Sequence, residues 1–192
     1  FQVATPFGAD LGGVSPAFFA LNADSEFDSW LTVGVTDATA VSDISSIGIN
    51  FDEWTIHDGI STNNAAVFWM DPAQGPSTST VVLAQVTVAT GSGGQAAAVL
   101  QGRSSGDAED WSMATSWDLS GGTAGPAPPP TPPPPTPPPP TPPPSPAGDN
   151  VVIVATDGIT GMTTYQLTYS LDASQANVYA CLLYTSDAAD EP

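Results

Sequence analysis

Positive charge is almost absent from this chain. It has no lysine, one arginine (Arg103) and one histidine (His57), against 20 aspartates and glutamates, for a formal net charge of −19. Nucleic-acid binding needs clustered Lys and Arg to neutralise phosphates, and docking on anionic lipid needs the same, so both are excluded as modes of action. Long apolar runs are missing too, and none approaches the ~20 residues of a membrane-spanning helix. Cysteine occurs once, at Cys181, which removes a disulfide framework and a cysteine-rich zinc site. The chain still has material for a core, since 41% of its 192 residues are hydrophobic, unlike a disordered acidic tail.

What is present divides into zones. Residues 1–122 mix apolar and polar types and hold all five tryptophans. Pro126 to Pro146 contains 16 of the 21 prolines, punctuated by Thr131, Thr136, Thr141 and Ser145. Proline lacks an amide hydrogen and fixes φ, so neither helix nor sheet suits this stretch. Polyproline II at about 3.1 Å per residue makes it a stiff linker, on the order of 65 Å from end to end, over residues 123–149. Threonine and serine regularly spaced in such a tract are typical O-glycosylation substrates, which points to an extracellular or cell-surface setting. Residues 150–180 return to strand-like sequence.

The last dozen residues stand apart. Cys181-Leu182-Leu183-Tyr184-Thr185-Ser186 is what the codons TGT CTC TTA TAC ACA TCT spell, and GAC GCT GCC GAC GA continues in frame as Asp187-Ala188-Ala189-Asp190 and the start of Glu191. That DNA resembles the transposon mosaic end used in sequencing libraries. Residues 181–192 are therefore expected to be translated adapter, irrelevant to the fold.

Both flanking zones carry the period of two expected of half-buried strands. In 81–88, Val82, Ala84, Val86 and Val88 alternate with Leu83, Gln85 and Thr87. In 164–171, Tyr165, Leu167, Tyr169 and Leu171 alternate with Thr164, Gln166, Thr168 and Ser170. Further strands are expected at 17–21, 29–35, 47–51, 65–70, 96–101, 113–119 and 150–155, separated by Gly-, Asn- and Asp-rich turns. No long helical period occurs. The expected class is all-β: a partial antiparallel β-sandwich module, a polyproline II linker, and a partial second β module.

Several constellations invite chemistry. Asn22, Asp24, Glu26 and Asp28 fall at every second position, so an extended backbone would put their oxygens on one face, as calcium requires. Asp107, Glu109 and Asp110 form a second acidic cluster. These six acids are the calcium candidates, against the simpler reading of a solvated acidic surface. Trp54, Trp69 and Trp111 are candidate sugar-stacking residues, against the simpler reading of core aromatics. Gly102-Arg103-Ser104-Ser105-Gly106 matches the G-x-S-x-G nucleophile elbow, but no histidine follows it and the sequence beyond is turn-like, so a polar hairpin loop fits better. His57 alone makes no metal site. Glu26, Glu53 and Glu109 lack a glycosidase motif. No catalytic residue is assigned and an enzyme is not expected.

One resemblance rests on strings rather than composition. Phe27-Asp28-Ser29-Trp30-Leu31-Thr32-Val33-Gly34, Ala66-Val67-Phe68-Trp69-Met70-Asp71-Pro72, Gln101-Gly102-Arg103-Ser104 and Glu109-Asp110-Trp111 resemble an uncharacterised tandem repeat domain. That repeat occurs in secreted, multi-domain proteins of single-celled algae and other microbial eukaryotes. Its opening features, a Thr-Thr-Tyr strand and a Val-Tyr pair, are similar to Thr163-Thr164-Tyr165 and Val178-Tyr179, beyond the proline tract. The resemblance implies the back of one copy before the tract and the front of the next after it. The Thr/Pro tract itself resembles hydroxyproline-rich wall glycoproteins. The implied role is structural or adhesive, in a wall, coat or matrix, with glycans or other matrix proteins as partners. A calcium-assisted carbohydrate-binding module is the alternative, and a glycoside hydrolase fragment a second one.

Overall fold

The computed structural model describes residues 1–55, 59–62, 64–106, 109–121, 123–124 and 148–183. Ten strands form two five-stranded sheets. They are β1 (Trp30–Leu31), β2 (Ile44–Ile47), β3 (Ala65–Trp69), β4 (Thr80–Ala89), β5 (Gln95–Gly102), β6 (Trp111–Asp118), β7 (Thr123–Ala124), β8 (Gly148–Thr156), β9 (Met162–Ser170) and β10 (Ala180–Leu183). One sheet has the order β1-β4-β9-β8-β7, the other β2-β3-β10-β5-β6. Every pairing is antiparallel except β7 with β8. The described residues contain short 3₁₀ turns and no α-helix. The all-β, antiparallel expectation holds.

Alternation locates the core. Tyr165, Leu167 and Tyr169 of β9 are buried on one face of their sheet, in one cluster with Leu100 of β5 and Trp117 of β6. The Trp117 indole N–H crosses the interface to donate to Thr168 O at 2.9 Å, so the ring is buried without losing its polar contact. The opposite face of β9 is polar yet also buried, at Thr164, Thr168 and Ser170. Hydroxyl ladders satisfy part of that face, with Thr87 and Thr164 oxygens 2.8 Å apart across β4 and β9.

Some expected strands are turns. Residues 17–21 have an apolar run without alternation, and Pro16 starts a 3₁₀ turn over Pro16–Phe18, where its missing N–H costs nothing. The strand expected at 29–35 stops as β1 at Leu31. There the Thr32 hydroxyl bonds to the backbone of Val35, and Gly34 takes φ +82°. The strand expected at 47–51 ends at Ile47, before Gly48 (φ +74°). The runs expected at 65–70, 96–101 and 113–119 appear as β3, β5 and β6.

The expected division into two β bodies held apart is corrected by the pairing. β4 precedes the proline tract and β9 follows it, yet they pair from Thr80↔Ser170 to Ala89↔Met162. β10 likewise sits between β3 and β5. Neither segment closes a sheet alone, so both contribute to one sandwich. The ends of the tract return to one sheet edge. Ala124 lies opposite Ile153 in β8, and Gly148 begins that same strand, a separation of about 17 Å along the strand at ~3.3 Å per residue.

Residues 181–183, expected to lie outside the fold, belong to it. Cys181 pairs with Val67 on one side and Leu100 on the other, and it is buried. Backbone hydrogen bonds fill this central slot, so it asks of the side chains little more than small or apolar character. Residues 184–192 lie outside the described residues.

Candidate functional site

The alternating acids do not share a face. Ala23–Phe27 is a 3₁₀ turn capped by Asn22, whose side chain accepts from Asp24 N–H at 3.2 Å. Asn22 competes for the backbone as such residues do at turn starts, and the extended register needed for calcium is lost. Asp24 and Glu26 are exposed, whereas Asp28 is completely buried. Its carboxylate accepts from Val3 N–H and Ala9 N–H, each at 2.7 Å, and its carbonyl accepts from the Gln85 amide at 2.9 Å. Asp28 is therefore a bracket holding the first nine residues against β4. Burial pushes its carboxyl up to about 6, against the pull of the N–H donors of Val3, Ala9 and Ser29, with Asp10 adding to the rise. Gly8 is needed beside it, since a Cβ there would collide with Val3 O and approach Asp28 Oδ2 at 2.9 Å. Sequence reasoning had no signal for this bracket, because its partners are backbone amides distant in the chain.

In the second acidic cluster the Asp110 carboxylate is committed elsewhere. Asp107 lies outside the described residues, as does His57. Asp110 accepts from Arg103 Nη1 at 2.9 and 3.0 Å and from the Tyr179 hydroxyl at 3.2 Å. The guanidinium carbon stands 5.7 Å from the Tyr179 ring centroid, so the chain's sole arginine clamps the β5–β6 connection to the approach of β10. The Tyr179 hydroxyl is pushed up, first by burial and then by Asp110. Among the described residues no three of His, Cys, Asp and Glu are grouped to hold a metal. The shared-face reading of Asp24, Glu26 and Asp28 is therefore corrected, while the cluster of Glu109 and Asp110 includes Asp107, outside the described residues.

Ser104, the serine of the elbow-like motif, donates to Glu109 O and pairs with Gln175 in an isolated bridge. Gly102 ends β5 where a side chain would collide with Asn177 O and Trp111. Close backbone packing, rather than nucleophile display, accounts for the glycine.

The three candidate tryptophans do not form a platform. Trp69 donates its indole N–H to Val33 O at 2.7 Å. Trp111 donates to Arg103 O and Asn177 O at 3.0 and 3.1 Å and stacks on Tyr169 at 5.9 Å. These two sit at the same end of one sheet with β10 and β5 between their strands, roughly 14 Å apart at about 4.8 Å per strand. Trp54 lies at the other end, stacked on Phe51 at 6.4 Å and 26°.

Trp54 opens on a sizeable concavity. A cavity of 680 Å³ lies between the sheets, lined by Val86 and Val88 of β4, Ala96 of β5, Trp117 of β6, Leu167 of β9 and Leu183 of β10, with Trp54 and Ile60 beside them. Its size is that of small-molecule sites. Asp118 is the only carboxylate among the described lining residues. The Ser120 hydroxyl and N–H bind that carboxylate and hold it below the usual range. Two-carboxylate glycoside hydrolysis has no second partner among these residues. The arrangement offers apolar contact and an aromatic face without an acid–base pair. Comparison of the chain with protein-family models, curated proteins and solved structures returned no match.

Proposed function

We propose that this chain is a non-catalytic β-sandwich module of an extracellular or cell-surface protein, with a structural or adhesive role in a wall, coat or matrix. The observation that carries the reading is the commitment of its polar side chains. Asp28, Arg103, Asp110 and Ser104 are bound to backbone or to one another, while the Thr/Pro tract leaves and re-enters at a single sheet edge. A module of this kind supports a hydroxyl-rich segment on a stable body. The string resemblance to repeats of secreted algal proteins agrees with that role. Secretion of the chain from a eukaryotic host tests it. The expected result is glycan mass on the tract, retention on insoluble wall polysaccharide and no sugar release. Release of soluble sugar, or an unmodified tract with no retention, overturns it.

A glycan-binding reading is favoured by one feature, the stacked Phe51–Trp54 pair beside the cavity. It needs no calcium. Trp54→Ala abolishes polysaccharide retention in that case, whereas Trp69→Ala and Trp111→Ala do so only through loss of folding.

A further inference from the structure

β6 is a long strand at a sheet edge, with no strand hydrogen-bonded beyond it among the described residues and β8 of the facing sheet close by. β1 and β7 have two residues each and β2 has four, so the terminal strands of three of the four edges are short, and β8 runs on past β7 at its own edge. The fourth is β6, with eight residues in unbroken register against β5 from Gln95↔Asp118 to Gly102↔Trp111. Leu119 N–H donates to Gly94 O at 2.9 Å, which sets the phase of the ladder. In an antiparallel pair the backbone groups of successive residues point to opposite sides. Trp111, Met113, Thr115 and Trp117 therefore turn their N–H and C=O toward β5, and Ser112, Ala114 and Ser116 turn theirs away from it.

Edges of this kind are normally protected by lysine, proline, a bulge or brevity. β6 has none of these. Its outward residues are two serines and an alanine, all exposed, and its first charge is Asp118 at the end. The bulges of this fold lie elsewhere, in β4 and in the β8–β9 pairing.

We infer that β6 accepts an extended segment of a partner protein by strand addition, uncharged at its centre and carrying Lys or Arg at its ends. Charge selects this occupant. Glu109 and Asp110 precede the strand and Asp118 closes it, and the only cation nearby, Arg103, is already paired with Asp110 at 2.9 Å. A second copy would bring another −19 to the contact, which opposes self-pairing at ordinary salt. Backbone bonds supply the adhesion and charge supplies the choice. This inference does not depend on the matrix reading and extends to any setting that offers such a segment.

The test uses the full chain and an acetylated, amidated probe peptide, Lys-Lys-Thr-Val-Thr-Val-Thr-Lys-Lys, with a counterpart bearing Glu in place of Lys. The expected result is slower hydrogen exchange at the amides of Ser112, Ala114 and Ser116 with the basic peptide only. Binding should weaken about tenfold from low salt to about 0.5 M as screening sets in. Ala114→Pro removes the central donor and should abolish the protection. The Ser112→Lys/Ser116→Lys double variant leaves every amide in place and should weaken the basic peptide while admitting the acidic one, which keeps the test valid should the proline variant fail to fold. Equal binding of both peptides by the unmodified chain, protection at other amides, or a peptide-free dimer with these three amides protected would each overturn the inference.

Discussion

Asp28 places a carboxylate where water does not reach, held by the backbone amides of Val3 and Ala9, with the terminal ammonium of Phe1 near enough to feel its charge. Because its folded pKa is raised, to about 6 from an ordinary 3.8, the folded state binds its proton more tightly than the unfolded chain does. The stability associated with that proton is complete below about pH 4 and is lost as pH rises through about 6. Denaturant melts should therefore show stability falling between those values, by up to about 1.4 kcal/mol per pH unit. Asp28→Asn should remove that part of the slope. A smaller dependence of the same sign remains from Asp10, whose carboxyl is pushed up by burial and by Asp52. Asp28→Ala strands both amides and should cost about 1–3 kcal/mol at any pH, read from the same melts. Cys181 behaves differently: burial pushes its thiol up to about 12. A thiol reagent at pH 8 should leave it untouched in the native chain and label it fully in urea.

At the scale of elements, β10 matters out of proportion to its four residues. It fills the gap between β3 and β5 and pairs with both, and a central strand cannot lose an amide without breaking the ladder. Leu182→Pro should abolish the cooperative melt, whereas replacing residues 181–183 with Val-Thr-Val should leave the melting temperature within a few degrees. Circular dichroism melts distinguish the two outcomes. The same elements show what pattern could reveal. Strict alternation at Tyr165, Leu167 and Tyr169 marked β9, and β3, β5 and β6 were legible in the same way. β2 was not, because four residues carry too short a period, β10 was hidden because 181–183 reads as translated adapter, and the extended run at 29–35 stops early because Thr32 diverts its backbone. The acids at 22–28 were misjudged for a related reason: a capping Asn22 favours a turn over the extended backbone that alternation assumes.

For the whole molecule, the proline tract interrupts the sequence without dividing the fold. Residues 1–122 and 148–192, produced separately, should each lack a cooperative melt and should regain it on mixing, since β4 needs β9 and β3 and β5 need β10. Two independent modules would melt separately, so the calorimetric trace decides. Trp117, buried against β9 with its N–H on Thr168 O, ties the two sheets across that division. Trp117→Ala should cost about 3–5 kcal/mol in the intact chain.

Composition by itself argues against phosphate-bearing partners, because electrostatic attraction to phosphate requires cations that are scarce in this chain. Hydrophobic period settled the strand class, because side chains alternate across a pleated sheet. Only the tertiary structure decided that strands on either side of the tract share two sheets, that the acids at 22–28 are dispersed and that no strand pairs beyond β6 among the described residues. Those outcomes rest on pairings between residues far apart in the chain, formed through backbone groups that every residue carries alike.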